Sequence, residues 1–315
     1  MNVDKNLALD FVRATEHASI AAAKWIGKGD NNAADDAAVK EMRDRFNKID
    51  FRGRIVIGEG ERDEAPMLFI GEEVGTKNGL EVDIAVDPLE GTNLTAKGLN
   101  GALSVLAAAP KGNLLHAPDT YMDKIAVGEK ARGKVSLDKS VEDNIQSVAD
   151  ALDKDVTDVG VIILERDRHN ELIKKVRNTG ARVHLISDGD VAAAIATTIS
   201  DSSIDILLGM GGAPEGVIAA AALKCLGGDF QGRLKFRNDE EKERGKKMGV
   251  DEKRLLKMDD LAKGDDVVFV ATGVTNGNIL KGVRFLQDKT YTNSVIMRSK
   301  SKTIRFIESF HKEKK

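Results

Sequence analysis

Apolar residues recur at spacings of three and four along the first part of the chain: Leu7, Phe11, Ala14, Ala18, Ala22 and Trp25. This is the stripe of an amphipathic helix, and "GKGDNN" ends it. A second stripe, Val39, Met42, Phe46 and Ile49, predicts another helix. One further step of four back from Val39 puts Asp35 on that same inward face, while Asp36 points elsewhere into solvent. The period then drops to two. Arg54 to Ile57 reads as a strand that meets Glu59 in a glycine-flanked turn, and Val82, Ile84 and Val86 alternate as far as Asp87. Pro88 is expected to stop that ladder. "ALSVLAAAP" and "DKIAVGEKARG" read as further strands, and Ser140 as the N-cap of a helix over "VEDNIQSVADAL".

Beyond this point the texture changes. "VGVIILER", "ARVHLIS", "SIDILLG" and "DVVFVAT" are short β-branched runs separated by helical patterns such as "HNELIKKVRNTG" and "GDVAAAIATTI". That alternation predicts an α/β chain with a mostly parallel sheet covered on both faces. A boundary near Lys154 divides it into an α+β half, 1–154, and an α/β half, 155–315. The run "NDEEKERGKKMGVDEKRLLKMDD" reads as a solvated excursion.

Composition narrows the classes of partner. The 48 basic and 51 acidic side chains leave a net charge of -3, which removes the electrostatic case for nucleic acid or a membrane surface and favours a small-molecule partner. Cys225 is the only cysteine, so an internal disulfide and a cysteine-rich zinc site are excluded, and a buried helix thiol is expected. The charged amino terminus lacks the apolar core of a secretory signal, and the longest apolar run, about Val217 to Leu223, is far shorter than a membrane span. A reducing cytoplasm is the expected location.

Nucleotide and nucleophile motifs fail. "GMGGAPEG" follows a strand and opens a helix, but it lacks the third glycine of G-x-G-x-x-G, and no G-x-x-x-x-G-K-[ST] occurs. Within it, Pro214 suits the first helical turn and Glu215 the helix dipole. No G-x-S-x-G elbow exists, and His17, His116, His169, His184 and His311 lack the H-E-x-x-H spacing. Carboxylates remain. Asp35 sits on an apolar stripe, Glu59 and Asp87 close strands, Glu90 shares a turn with Asp87, and Glu215 opens a helix. Such acids repel one another if they converge, and a hard divalent cation bound through oxygen is the usual remedy.

The hexapeptide "DPLEGT", Asp87 to Thr92, matches the D-P-[IL]-[DE]-G-[ST] signature of the metal-dependent, lithium-sensitive sugar and inositol phosphatases. "GDNNAADDAAV", "GRIVIGEGERDEAPML", "APDTYMDKIAVGEKARG" and "GMGGAPEGVIAAAALKCLGG" narrow the likeness, and the chain closely resembles the class II fructose-1,6-bisphosphatases over nearly its whole length. The resemblance implies a five-layer α-β-α-β-α sandwich with the active site between two halves. It places Asp35, Glu59, Asp87, Glu90 and Glu215 on metal-ligand positions for Mn²⁺ or Mg²⁺. Substrate contacts fall on Glu90, Gly91, Thr92, Tyr121, Arg166, Asp167, Arg168, Asp188, Gly189, Asp190 and Gly212. Thr92 becomes the residue that orients the attacking water or relays its proton, and Asp63 a further catalytic candidate.

The implied reaction is metal-dependent hydrolysis of the 1-phosphate of D-fructose 1,6-bisphosphate, a step of gluconeogenesis, by a homodimer or homotetramer. Sedoheptulose 1,7-bisphosphatase and inositol-monophosphatase-like activity are the nearest alternatives. A non-catalytic sugar-phosphate sensor using the same acids is the alternative from another class.

Overall fold

A computed structural model describes residues 5–60, 66–247 and 251–312. The chain forms two compact units, one from residues 1–114 with 264–315 and the other from residues 115–263. This corrects the division expected near Lys154. The last strands return to pair with the first part of the chain, so the second unit is an insertion between them.

In the first unit, α1 (Lys5–Ala23) and α2 (Asn31–Phe46) follow the two apolar stripes, and the Asp30 side chain caps α2 by accepting from the Ala33 N–H. Then come β1 (Arg52–Ile57), β2 (Glu73–Val74), β3 (Glu81–Glu90), α3 (Thr92–Lys97) and β4 (Leu103–Pro110). Leu7, Phe11, Ala14, Ala18 and Ala22 of α1 and Met42 and Phe46 of α2 are buried with Ile84, Val86, Leu106 and Val270 from the sheet. Phe11, Phe46 and Phe51 meet edge to face, with ring centroids 5.4 to 6.3 Å apart. Each such ring contributes about 3–5 kcal/mol against truncation to alanine. Asp36 is exposed and Asp35 half-buried, as the helical spacing predicts.

Strand β3 does not stop at Pro88. It pairs with β4 from Val82 to Asp87, breaks register, and resumes at Glu90 opposite Leu103. A proline removes one donor, and a bulge accommodates that loss without ending the strand.

The second unit holds β5 (Tyr121–Val127), α4 (Val141–Leu152), β6 (Gly160–Leu164), α5 (Asn170–Asn178), β7 (Arg182–Ile186), α6 (Asp190–Ala196), β8 (Ile206–Gly212), α7 (Ala213–Leu226), β9 (Asp229–Lys235), α8 (Asp239–Lys247), β10 (Leu256–Lys257) and α9 (Met258–Leu261). Ser140 caps α4 by accepting from the Asp143 N–H at 3.0 Å. "GEKARG" is no strand, because β5 ends at Val127 and a 3₁₀ turn spans Glu129–Ala131. The sheet order is β10-β9-β5-β8-β6-β7. Only β6 pairs in parallel, with β7 and β8, so the expected mostly parallel sheet is instead mixed. Ile125, Val127, Val161 and Ile163 face α4 and α5, while Met122 and Lys124 lie under Gly216 of α7. Helices therefore cover both faces, as expected. Cys225 is buried on α7.

The chain then returns as β11 (Val268–Gly273), β12 (Arg284–Phe285), β13 (Lys289–Arg298) and β14 (Thr303–Lys312). "DVVFVAT", read as a member of the parallel sheet, is β11, which runs antiparallel between β4 and β13 in the first unit. Its apolar run has the same composition in either sheet, so only pairing decides its partner. Among the described residues no helix is long and apolar enough to cross a membrane.

Candidate functional site

The first unit presents its acids where β3 breaks register. Asp87 is half-buried and Glu90 is buried, and each offers a carboxylate oxygen within 4.8 Å of the other's. The Asp87 carboxylate also accepts from the Leu89 N–H at 3.0 Å, which holds the turn. Pro88 and the bulge cause this geometry: regular alternation would send residues 87 and 90 to opposite faces. Gly91 follows with φ of 87°, a left-handed conformation that favours glycine, and a Cβ there would sit 2.9 Å from the tip of Leu94. Half-buried Thr92 then opens α3. Asn93, for which the sequence suggested no role, accepts from Asn31 Nδ2 at 2.7 Å and ties α3 to the start of α2.

Asp35 and Glu59 carry carboxyl groups hydrogen-bonded to each other. Burial pushes Asp35 up to about 6, and the bond to Glu59 opposes the rise. Two carboxyl groups can share a hydrogen bond only if one holds a proton, and a divalent cation is the alternative that lets both ionise. This donor set therefore fits a hard cation. Asp63 lies outside the described residues.

The second unit gathers a different group around the end of β8. Gly212 precedes α7, and a Cβ on it would overlap Glu215 Oε2. Glu215 is half-buried as a residue, yet its Oε2 is shielded from solvent and has no hydrogen-bond partner. Burial raises the Glu215 carboxyl, Lys124 opposes the rise and Asp190 adds to it. An orphaned, desolvated carboxylate oxygen is costly unless a cation meets it, which again fits metal binding.

Asp190 opens α6 after Gly189, whose φ of 88° makes the sharp entry. Its Oδ2 accepts from Lys124 Nζ at 2.5 Å, with 3% and 10% of the two side chains exposed. Asp188 is half-buried in the preceding turn. Arg166 donates from Nη1 to the Glu165 carbonyl, Asp167 is exposed, and exposed Arg168 donates to the Met210 carbonyl at 3.2 and 2.8 Å. The Arg168 guanidinium lies 4.9 Å from the Tyr121 ring centroid and that of Arg237 5.3 Å, so two cations face one aromatic face or edge.

Two residues escaped the sequence reading. His169 was set aside as an ordinary histidine; its Nδ1 lies 2.7 Å from the Leu164 carbonyl and its Nε2 2.8 Å from the Met210 N–H. That pairing requires the neutral form with the proton on Nδ1, and it links the arginine turn to β8. Lys124 sits in an alternating strand between buried Met122 and Ala126. A lysine at an inward position was the available signal.

The family model described as bacterial fructose-1,6-bisphosphatase, glpX-encoded, matches residues 5–311. The chain belongs to this family. A relative from Synechococcus sp. (strain JA-3-3Ab), named D-fructose 1,6-bisphosphatase class 2/sedoheptulose 1,7-bisphosphatase, is 47% identical over 98% of this chain and 96% of its own length. One of the same name from Synechocystis sp. is 47% identical over 98% of this chain and 97% of its own. A further such protein from Acaryochloris marina is 47% identical over 98% and 96%. A solved structure titled extragenic suppressor from Pyrococcus furiosus superposes with a TM-score of 0.32 at 14% identity, covering 64% of this chain and 72% of that one, too distant to bear on fold or function. The mixed α/β architecture agrees with that of a sugar phosphatase, and membership of the family implies dependence on a divalent cation.

Proposed function

We propose that the chain hydrolyses the 1-phosphate of D-fructose 1,6-bisphosphate, releasing fructose 6-phosphate and inorganic phosphate. The observation that carries this reading is the carboxylate pair Asp87 and Glu90, held on a bulge by "DPLEGT" in a member of the bacterial fructose-1,6-bisphosphatase family. In the proposed assignment, Asp87, Glu90, Asp35 and Glu59 of the first unit and Glu215 of the second are the metal ligands, for Mn²⁺ or Mg²⁺. When bound, the cation supplies charge neutralisation at the phosphate oxygens and eases deprotonation of water.

The chain's own residues do the rest. The Thr92 hydroxyl orients the attacking water and relays its proton, with Asp63 as a second candidate for that transfer. Water oxygen bonds to phosphorus, the P–O bond to the sugar breaks, and the leaving oxygen takes up a proton. Arg166 and Arg168 grip the distal phosphate as charged donors, and their binding energy aligns the reacting end. Asp188 and Asp190 accept from sugar hydroxyls, while Tyr121 borders the sugar phosphate. Gly91, Gly189 and Gly212 leave room for close approach, and Asp167 completes the arginine turn.

Sedoheptulose 1,7-bisphosphate is the second substrate favoured, because the curated relatives bear both names. Phosphate release from fructose 1,6-bisphosphate, sedoheptulose 1,7-bisphosphate and inositol 1-phosphate, with and without EDTA, tests the assignment. Metal-dependent release from the bisphosphates is expected. Binding without release would make the protein a sensor. A cytoplasmic homodimer or homotetramer belongs to the same proposal, and light scattering of the purified chain checks the assembly.

A further inference from the structure

Lys124 is a charged residue buried to 2% exposure in the second unit. Its route to Asp190 is cleared by glycines. A Cβ on Gly216 would lie 3.4 Å from Lys124 Cε, and one on Gly211 would lie 3.0 Å from Nζ and overlap Asp190 Oδ2. Any side chain at Gly211 would therefore part the ammonium from the carboxylate. Lys124, His169, Asp190 and Gly209 to Gly211 line one recess beside the end of β8.

A buried ion pair of this kind seldom repays its desolvation in stability, and its best-attested value is to hold one geometry. Here one carboxylate oxygen of Asp190, Oδ2, takes the ammonium at 2.5 Å. An ammonium fixed on one oxygen leaves the other, Oδ1, able to accept from a ligand hydroxyl.

We propose that Lys124 is a positioning residue for the sugar: it fixes the Asp190 carboxylate through Oδ2, so that Oδ1 accepts a hydroxyl of the sugar phosphate. This rests on the assignment of Asp190 to the substrate site under Proposed function. Lys124 acts only through Asp190, which makes the idea testable by comparing backgrounds.

The test is calorimetric titration of fructose 6-phosphate into the full chain treated with EDTA, which needs neither metal nor turnover. Lys124→Met is expected to weaken binding tenfold or more, and Asp190→Asn by a similar factor. In the Asp190→Asn background, adding Lys124→Met is expected to change Kd by less than twofold. Should Lys124→Met alone not fold, Lys124→Arg, which keeps the charge but not the compact ammonium, takes its place in both backgrounds, with a loss of tenfold or more expected beside the native Asp190 and less than twofold in the Asp190→Asn background. A purely structural lysine would lower the melting temperature and leave Kd of the folded protein unchanged, which would overturn the proposal. Losses that multiply in the double variant would overturn it too, as would failure of the wild type to bind fructose 6-phosphate. Hydrolysis assays keep the parent reading separate: binding that depends on Lys124 without any release of phosphate from fructose 1,6-bisphosphate would sink the enzyme assignment and leave this inference standing.

Discussion

The two units meet the cost of desolvated carboxylates in opposite ways. In the first, Asp87 and Glu90 stand together on a bulge where a backbone N–H donates to Asp87, and the Asp35 and Glu59 carboxyl groups are hydrogen-bonded to each other. In the second, Asp190 is met by a buried ammonium, and glycines at 211 and 212 make room for carboxylates. The first arrangement gathers acids that fit a cation, whereas the second has already neutralised one of its acids and leaves Glu215 Oε2 without a hydrogen-bond partner.

The largest effect should come from the first unit's chemistry. Thr92→Ala is expected to lower kcat by about 10²- to 10⁴-fold with KM changed little, as loss of a proton-relay group does. Steady-state kinetics at saturating Mn²⁺ measure it, and near-normal turnover would remove Thr92 from the mechanism. Next, Gly212→Ala pushes a methyl into Glu215 Oε2 and should raise the Mn²⁺ concentration for half-activation by about 10- to 100-fold, the usual range for disturbing a ligand's support. An unchanged metal titration would return Glu215 to a mere complement of the α7 dipole.

Stability probes sharpen the contrast further. His169→Ala leaves the Met210 N–H without its acceptor and should cost about 1–3 kcal/mol, or roughly 2–10 °C in melting temperature. Burial holds the His169 ring below the usual histidine range. Its contribution is therefore present above the unfolded value of 6.5 and is lost as pH falls through the folded one. A melting curve of His169→Ala that keeps the wild-type pH dependence below 6.5 would contradict this.

The smallest effect has the opposite sign. Asp35 is raised from 3.8 to about 6, so its protonated form favours the fold at low pH, and that contribution is lost as pH rises through about 6. EDTA-treated protein should thus lose a few degrees of melting temperature across that window relative to Asp35→Asn. Added Mn²⁺ should abolish the difference. A difference that persists in Mn²⁺ would separate Asp35 from the metal.

Much of this was legible in one dimension. Helical spacing located Asp35 on an inward face, alternation brought β3 to Asp87, and Ser140 was readable as a cap because capping depends on three or four neighbouring residues. "DPLEGT" marked the candidate site, although Pro88 proved to bend the strand rather than end it. Lys124 and His169 were passed over, since their partners are 66 and 41 residues away in the chain.

Sequence alone thus determined most of the elements and the family, because periodicity, turns and motifs are local properties that each segment carries with it. Tertiary structure alone decided that β11 to β14 close the first unit's sheet and that the second sheet is mixed. It also decided that Lys124 meets Asp190. The physical reason is that strand pairing and buried charge pairing depend on which distant segments exclude water together, and an apolar run or a lone lysine does not encode its partner.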